Sequence, residues 1–409
     1  MVEIRDLIKE YQIKFPKNID QNKTVVIIED QTDMRMIIAH HLGKLGFKTV
    51  KQFSHGLEAI EWLRNTEASI SFTICDHEMP VMNGFDFLQE VKADMSLRRG
   101  PFAITIDNPN REKIMLATEN GVDGVLVKPF TLKDIVPKLK QAFQVYHNPN
   151  NPELLYEAAK IAFASGDTGK AKAIYEGLSK VTEKAARPIV GLACIAIKEK
   201  KDSEAEALFA QAKERNPAYV HTFVERGTYY ASKGDVAKAV DEFKTAIELS
   251  PLNPVRYEKA AELLFELKRY PEAIELLNIA LVKELNFPSL HHHLSQGYYK
   301  IKDYKKAIKH IRSALNQEPE NVAYLNQLGV SLKEINMFDD ALKAYNSVIK
   351  LEPDNRAALY NKAVLLKAKG SMPEAIKLLE KVVTKMPDFK EAASKLEEFR
   401  SAKPEDKAS

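Results

Sequence analysis

Between residues 23 and 146, short unbroken apolar runs alternate with amphipathic stretches. The runs cover 24–28, 49–53, 72–75, 102–106 and 124–127, and the stretches between them cover 34–45, 56–64, 84–92 and 111–120. Apolar runs that do not alternate with polar residues predict parallel strands buried on both faces, with helices covering them. Five strands and five helices predict a doubly wound α/β sheet, whose sites lie beyond the carboxyl ends of its strands. Ahead of this region, Ile4, Leu7, Ile8 and Tyr11 recur at helical spacing. They predict an amphipathic helix within residues 1–20.

Past residue 152 the pattern changes period. Ala171, Ala205, Ala239, Ala273, Ala307, Ala341 and Ala375 stand 34 residues apart with no insertion or deletion. Four positions after each comes a bulky residue: Tyr175, Phe209, Phe243, Leu277, Ile311, Tyr345 or Leu379. Twelve positions before each comes a small one: Ala159, Ala193, Gly227, Ala261, Ser295, Gly329 or Ala363. Gly166-Asp167, Gly234-Asp235 and Gly370-Ser371 mark turns, and Pro217, Pro251, Pro319, Pro353 and Pro387 close five units. This predicts two helices per unit, since small residues let two backbones approach and proline ends the second helix. One such unit cannot bury its own apolar face, so neighbours must stack. The pattern resembles the tetratricopeptide repeat family. That resemblance implies an α-α superhelical solenoid of seven repeats over 152–389, a capping helix over 390–402 and a tail over 403–409. Residues 147–151, punctuated by proline, read as a short linker before it.

The charged residues of the first region gather where strands end. Glu29 and Asp30 come after the first run, Asp76 after the third, and Lys128-Pro129-Phe130 after the fifth. Three acids at one sheet edge repel one another, so a divalent cation is their natural partner, and oxygen ligands favour Mg²⁺. An aspartate there can accept a phosphoryl group, with the metal and a lysine offsetting the transferred charge.

With IIED after the first strand, CDHEMPVMNGFDFL around the third and LVKPF at the fifth, residues 21–146 resemble the receiver domain of two-component response regulators. The resemblance implies a flavodoxin-like five-stranded sheet, with Asp76 as phosphoacceptor. It implies Mg²⁺ held by Glu29, Asp30, Asp76 and the backbone carbonyl of Glu78, with Met79-Pro80 and Gly84 shaping the loop. Lys128 would contact the phosphoryl group, with Pro129 after it in the cis form. Receivers also place a Ser or Thr at the end of the fourth strand. A gapless count puts Ile106 there, while one inserted residue puts Thr105 there, and the surrounding Ile-Thr-Ile-Asp-Asn-Pro favours Thr105. Val125 stands where many receivers carry a mobile aromatic residue.

Composition narrows the partners. A formal net charge of +3 over 409 residues, with no basic stripe, argues against nucleic acid as a ligand. Cys75 and Cys194 have no metal-ligand spacing and form no disulfide framework, and MVEIRDLIKE lacks a secretory apolar run. A cytoplasmic protein without membrane insertion is the expectation.

His291-His292-His293 point in different directions on a helix, which favours packing or groove polarity over a metal site. By the repeat resemblance, Arg187, His221, His292, Asn326, Asn361 and Lys367 face a protein-binding groove, the last three as a mixed amide and cation site.

The sequence thus predicts a phosphorelay protein. A sensor histidine kinase or phosphotransfer protein phosphorylates Asp76, and the repeats bind a protein partner. Self-association as a homodimer stays open. The alternative is a constitutive scaffold whose receiver no longer switches. No catalytic cluster is present, and a receiver counts as a phosphotransfer substrate, so the expectation is a protein that is not an enzyme.

Overall fold

The structure is a computed structural model that describes residues 23–94, 97, 100–131, 134, 135, 137, 138, 141 and 152–401. The expected helix in 1–20, the linker 147–151 and the tail 403–409 lie outside the described residues, as does residue 402.

Five strands, β1 (Thr24–Ile28), β2 (Thr49–Phe53), β3 (Ile70–Asp76), β4 (Phe102–Asp107) and β5 (Gly124–Lys128), form one sheet in the order β2-β1-β3-β4-β5. Every pairing is parallel. The strands alternate with helices α1 (Thr32–Lys44), α2 (Gly56–Asn65), α3 (Gly84–Ala93) and α4 (Arg111–Glu119). Side chains alternate across a strand, so β1 feeds two cores. Val26 and Ile28 pack in the cluster that takes in Ala59, Leu63, Leu88 and Leu116. Val25 and Ile27 pack in the other, with Ile38 and Leu42 of α1. The chain runs from β1 outward to β2 and then crosses back to β3, so the strand order reverses between β1 and β3. A crevice opens at such a reversal, at the carboxyl ends of the strands.

Helix caps bring α3 and α4 up to that edge. The Asn83 side-chain oxygen accepts from the Phe85 and Asp86 N–H groups, both at 2.9 Å, and that of Asn110 accepts from Lys113 N–H at 2.8 Å. Each satisfies amides that the first helical turn leaves unpaired. Gly84 is dictated by space, since a Cβ there would stand 2.2 Å from the Asp76 carbonyl oxygen.

The second half is a succession of helix pairs. They are α5 (Glu153–Ala164) and α6 (Thr168–Val181), α7 (Arg187–Lys198) and α8 (Asp202–Arg215), α9 (Val220–Ser232) and α10 (Val236–Leu249), and α11 (Pro254–Glu266) and α12 (Tyr270–Val282). Then come α13 (Pro288–Lys300) and α14 (Tyr304–Gln317), α15 (Val322–Glu334) and α16 (Phe338–Leu351), and α17 (Arg356–Ala368) and α18 (Met372–Lys385), with α19 (Lys390–Ser401) after them. The seven alanines spaced at 34 are all 0% exposed, and the bulky residues four positions on are all buried. Small-against-large packing is tight: a Cβ on Gly329 would come within 2.6 Å of the Tyr345 ring.

The turn inside each pair repeats a backbone device that only three repeats announce with glycine. Gly166, Lys200, Gly234, Lys268, Lys302, Asn336 and Gly370 all have φ between 60° and 89°. The next N–H reaches back to a helix carbonyl, as in Lys201 to Ala196 at 2.9 Å and Arg269 to Leu264 at 2.8 Å. This is the Schellman ending of a helix, which needs one left-handed residue. Four repeats accept the steric cost of a side chain there.

The chain divides into two compact units. The first runs to Tyr229 and takes in Glu248–Leu252; the second comprises Tyr230–Ile247 and the chain from Asn253 onward. The first unit therefore joins the sheet to the opening helix pairs. No helix among the described residues is long and apolar enough to cross a membrane.

Candidate functional site

Four strands deliver the site. Glu29 and Asp30 come directly after β1, Asp76 ends β3, Thr105 lies on β4 and Lys128 ends β5. Glu29 and Thr105 are 0% exposed and Asp76 is 3% exposed. Asp76 Oδ1 accepts from Thr105 Oγ1 and from the His77 N–H, both at 2.9 Å, and lies 2.8 Å from Lys128 Nζ. Lys128 Nζ is also 2.8 Å from Glu29 Oε2. That contact is ionic rather than an aligned hydrogen bond, because both Glu29 carboxylate oxygens and Lys128 Nζ are buried without a well-oriented hydrogen-bond partner.

Burial sets the electrostatics. Desolvation raises the Glu29 carboxyl pKa; Lys128 opposes the shift and the Asp76 charge reinforces it. Burial works against the Lys128 ammonium, but Asp76 and Glu29 together outweigh it and hold its pKa above the usual lysine value. Glu29, Asp30 and Asp76 each offer an oxygen within 4.8 Å of the others. Glu29 Oε1 and Asp30 Oδ1 are buried without hydrogen bonds, while Glu29 Oε2 meets Lys128. Such orphaned anionic oxygens have the number, type and spacing that a hard divalent cation takes.

The loop after Asp76 is held from several sides. Glu78 directs its carboxylate to Lys113 Nζ at 2.8 Å and to His77 Nδ1 at 3.3 Å, away from the three acids. Lys113 Nζ also donates to the Asp107 carbonyl at 3.1 Å. Met82 N–H donates to the Pro80 carbonyl at 2.8 Å, with Val81 between them at φ 70°. A β-branched residue rarely adopts this backbone. The Lys128–Pro129 peptide is cis. Ile106, the other candidate at the end of β4, is fully buried among apolar residues, whereas Thr105 points its hydroxyl at Asp76.

In the helical half each anticipated groove residue has its own local surroundings. Burial and the neighbouring His293 lower the His292 pKa to about 4; its ring centroid lies 4.9 Å from that of Tyr324 and its Nε2 pairs with Gln296. Asn326 Oδ1 is buried without a hydrogen-bond partner among the described residues. Asn361 is half-buried. Lys367 is drawn off toward α19, 3.4 Å from Glu398 and stacked 4.7 Å over the Phe399 ring. Among the described residues no hydrogen bond joins Asn326, Asn361 and Lys367. Arg187 is committed within the array, bonded to both Glu153 carboxylate oxygens and stacked 3.9 Å from the Tyr156 ring.

Comparison with known proteins supplies the family. The response regulator receiver domain matches residues 25–140. Chemotaxis protein CheY-3 of Vibrio cholerae is 32% identical over 126 residues, which are 31% of this chain and 95% of that protein. The chain belongs to the response regulator receiver family. Chemotaxis protein CheY1 of Helicobacter pylori is 33% identical to the same receiver over 116 residues, 28% of this chain and 93% of that protein. Tetratricopeptide repeat families match 190–254, 224–286 and 332–399. Among solved structures, YrrB, a TPR protein with an unusual peptide-binding site, aligns at TM-score 0.40 and 22% identity, covering 46% of this chain and 96% of that one. MamA aligns at TM-score 0.39 and 21% identity, covering 41% and 92%.

Two receiver residues escaped sequence reasoning. His77 lies edge-on to Phe85 with ring centroids 4.9 Å apart, and Lys113 bridges two loops of the site. Lys113 carried a signal as a basic residue in the first turn after a cap at Asn110, but its partner Glu78 lies 35 positions away. In the repeats, His291 pairs Nδ1 to Nδ1 with His310 at 3.1 Å and places Nε2 2.8 Å from Asn286. The histidine run is thus tied into packing between α13 and α14.

Proposed function

We propose that this protein is a phosphorylation-controlled adaptor: its receiver accepts a phosphoryl group on Asp76, and its repeats carry the output by binding another protein. One observation supports this most. Thr105, Lys128 and the His77 N–H all engage Oδ1 of the buried Asp76, which leaves Oδ2 as the attacking oxygen. The donor is a phosphohistidine on a sensor kinase or phosphotransfer protein. The Oδ2–P bond forms as the P–N bond breaks, and the departing imidazole nitrogen takes a proton from solvent. Lys128 stays protonated and meets the charge of the incoming phosphoryl oxygens, and the Thr105 hydroxyl is in reach to donate to one of them. Mg²⁺, when bound by Glu29, Asp30, Asp76 and the Glu78 backbone carbonyl, supplies the remaining charge neutralisation at the phosphoryl oxygens.

The decisive experiment is labelling with a radioactive phosphoryl donor in the presence of Mg²⁺. Label on the wild type, lost in Asp76→Ala and labile to hydroxylamine as an acyl phosphate is, supports the reading. Label retained in Asp76→Ala overturns it.

A second reading, a constitutive scaffold, draws on Val125. It is a small, half-buried side chain on β5 in the place where many receivers carry a switching aromatic. Calorimetric Mg²⁺ binding without any labelling would favour that reading.

A further inference from the structure

The first compact unit contains a contact that neither half explains alone. Ser250, in the turn after α10, donates its hydroxyl to Glu119 Oε2 at 2.8 Å across 131 residues of sequence. Glu119 is the last residue of α4 in the receiver, and its side chain is only 8% exposed. His221 of α9 brings Nε2 to 4.0 Å from the other Glu119 oxygen. Leu252, two residues past Ser250, packs against the receiver core cluster that includes Leu116 and Ala117 of α4.

The His221 contact is not a charged pair near neutral pH. Burial, with Lys160, Arg187 and Lys92 nearby, lowers the His221 pKa to about 4. The contact thus includes the Ser250 hydrogen bond, the apolar seat of Leu252 and a neutral imidazole at 4.0 Å.

The receiver side of this contact is braced. Lys92 Nζ donates to the Asn120 and Gly121 carbonyls, and Gln89 Nε2 donates to Asn120 Oδ1 at 2.7 Å. Both come from α3, the helix directly after the Asp76 loop. At its other end, α4 carries Lys113, which holds Glu78 and the Asp107 carbonyl. One helix of nine residues, about 13 Å long, thus has its first turn tied to the Asp76 loop and its last residue tied to the third repeat.

We infer that the third repeat is the intramolecular docking partner of the receiver, gripping the C-terminal end of α4 through Ser250, Leu252 and His221, and that α4 transmits the state of Asp76 to this grip. The second half of this inference rests on Asp76 being the phosphoacceptor; the first does not. A protein ligand that needs the His221 surface of the third repeat must then compete with Glu119 for it.

Hydrogen exchange read by mass spectrometry on the full chain tests both halves. In Leu252→Asp, and separately in Glu119→Lys, amides of 116–122 and of 248–253 should exchange about tenfold faster together, because docking protects both. Residues 322–401 should not change, which excludes general unfolding. Adding Ser250→Asp to Glu119→Lys should restore protection on both sides by setting an acid beside the new cation. Docking is overturned if each substitution affects only its own segment, or if the added Ser250→Asp restores nothing.

Beryllofluoride with Mg²⁺ then addresses transmission. The expected result is an exchange change at 248–253 of about tenfold in the wild type and none in Asp76→Asn. Protection gained at 77–84 with 248–253 unmoved overturns transmission while leaving the phosphoacceptor assignment standing. No response at either segment overturns the phosphoacceptor assignment, with docking already decided by the variants.

Discussion

The receiver and the repeats bury opposite kinds of residue at their critical positions. At the carboxyl edge of the sheet, Glu29, Asp76, Thr105 and Lys128 are all buried, and the net charge of the group is negative. In the repeats the critical columns are alanine, glycine and serine set against aromatic and aliphatic residues, and ion pairs such as Lys343–Asp340 and Lys385–Asp354 lie at the surface. Burying like charges is unfavourable unless a cation offsets it. The receiver edge therefore gives up stability to hold its charges together, whereas the array uses its interior for stability. A substitution at the edge should change binding more than folding, and one in a column should do the reverse.

The largest expected effect is in a column. Tyr345→Ala removes a fully buried ring packed on Gly329 and should cost about 3–5 kcal/mol, read as a lower urea midpoint by circular dichroism. A loss below about 1 kcal/mol would mean that the small-against-large packing does not hold the array together.

At the receiver edge, Glu29→Gln should weaken Mg²⁺ binding at least about tenfold, or 1.4 kcal/mol, by calorimetry. The same substitution should make the metal-free receiver more stable near neutral pH, because burial disfavours the ionised Glu29. Trp62, the only tryptophan, lies on α2 and reports receiver unfolding by fluorescence without interference from the repeats. A variant less stable than wild type would show that Lys128 compensates fully for the buried charge.

A pH series sharpens the same point. The folded-state pKa of Glu29 is raised from 4.5, so the folded state binds its proton more readily than the unfolded chain does. Metal-free stability from this group is greatest below 4.5 and is lost as pH rises through the raised value. Lys128, raised from 10.5, contributes stability that is present below that pH and lost only above it. Saturating Mg²⁺ keeps Glu29 ionised and should flatten the slope that Trp62 fluorescence reports as pH rises above 4.5. An identical slope with and without Mg²⁺ would remove Glu29 from the metal site.

The smallest effect is in the turns. Lys268→Gly should stabilise by up to about 1 kcal/mol, relieving a left-handed side chain at the cost of a more flexible unfolded chain. Gly234→Ala should destabilise by a similar amount, and the pair measured together isolates the backbone term.

The columns of the array were legible because burial in a repeat recurs at a fixed interval, and the strands were legible because a sheet covered on both faces demands unbroken apolar runs. The left-handed turn was legible only at Gly166, Gly234 and Gly370. Lys200, Lys268 and Lys302 adopt the same turn with side chains that carry no sign of it, and Asn336 adopts it with a residue that only sometimes marks it. Counting residues left Thr105 and Ile106 both available. The parallel register that sets Asp76 beside Thr105 places the hydroxyl at the site and Ile106 in the core. Arg187 sat at a groove position by pattern, yet its guanidinium is taken by Glu153 and Tyr156. A pattern assigns a face, while the nearest opposite charge decides where a long side chain ends.

By itself the amino-acid sequence determined the two architectures and the residue types at the sheet edge, since both depend on local periodicity and on the few residues just past each strand. Tertiary structure alone decided that Asp76 Oδ1 meets Thr105, Lys128 and the His77 N–H together, and that Glu119 meets Ser250. The reason is distance along the chain. Periodicity is set by neighbours within a turn or a strand, whereas these contacts join segments whose meeting depends on strand order, register and the packing of whole helices.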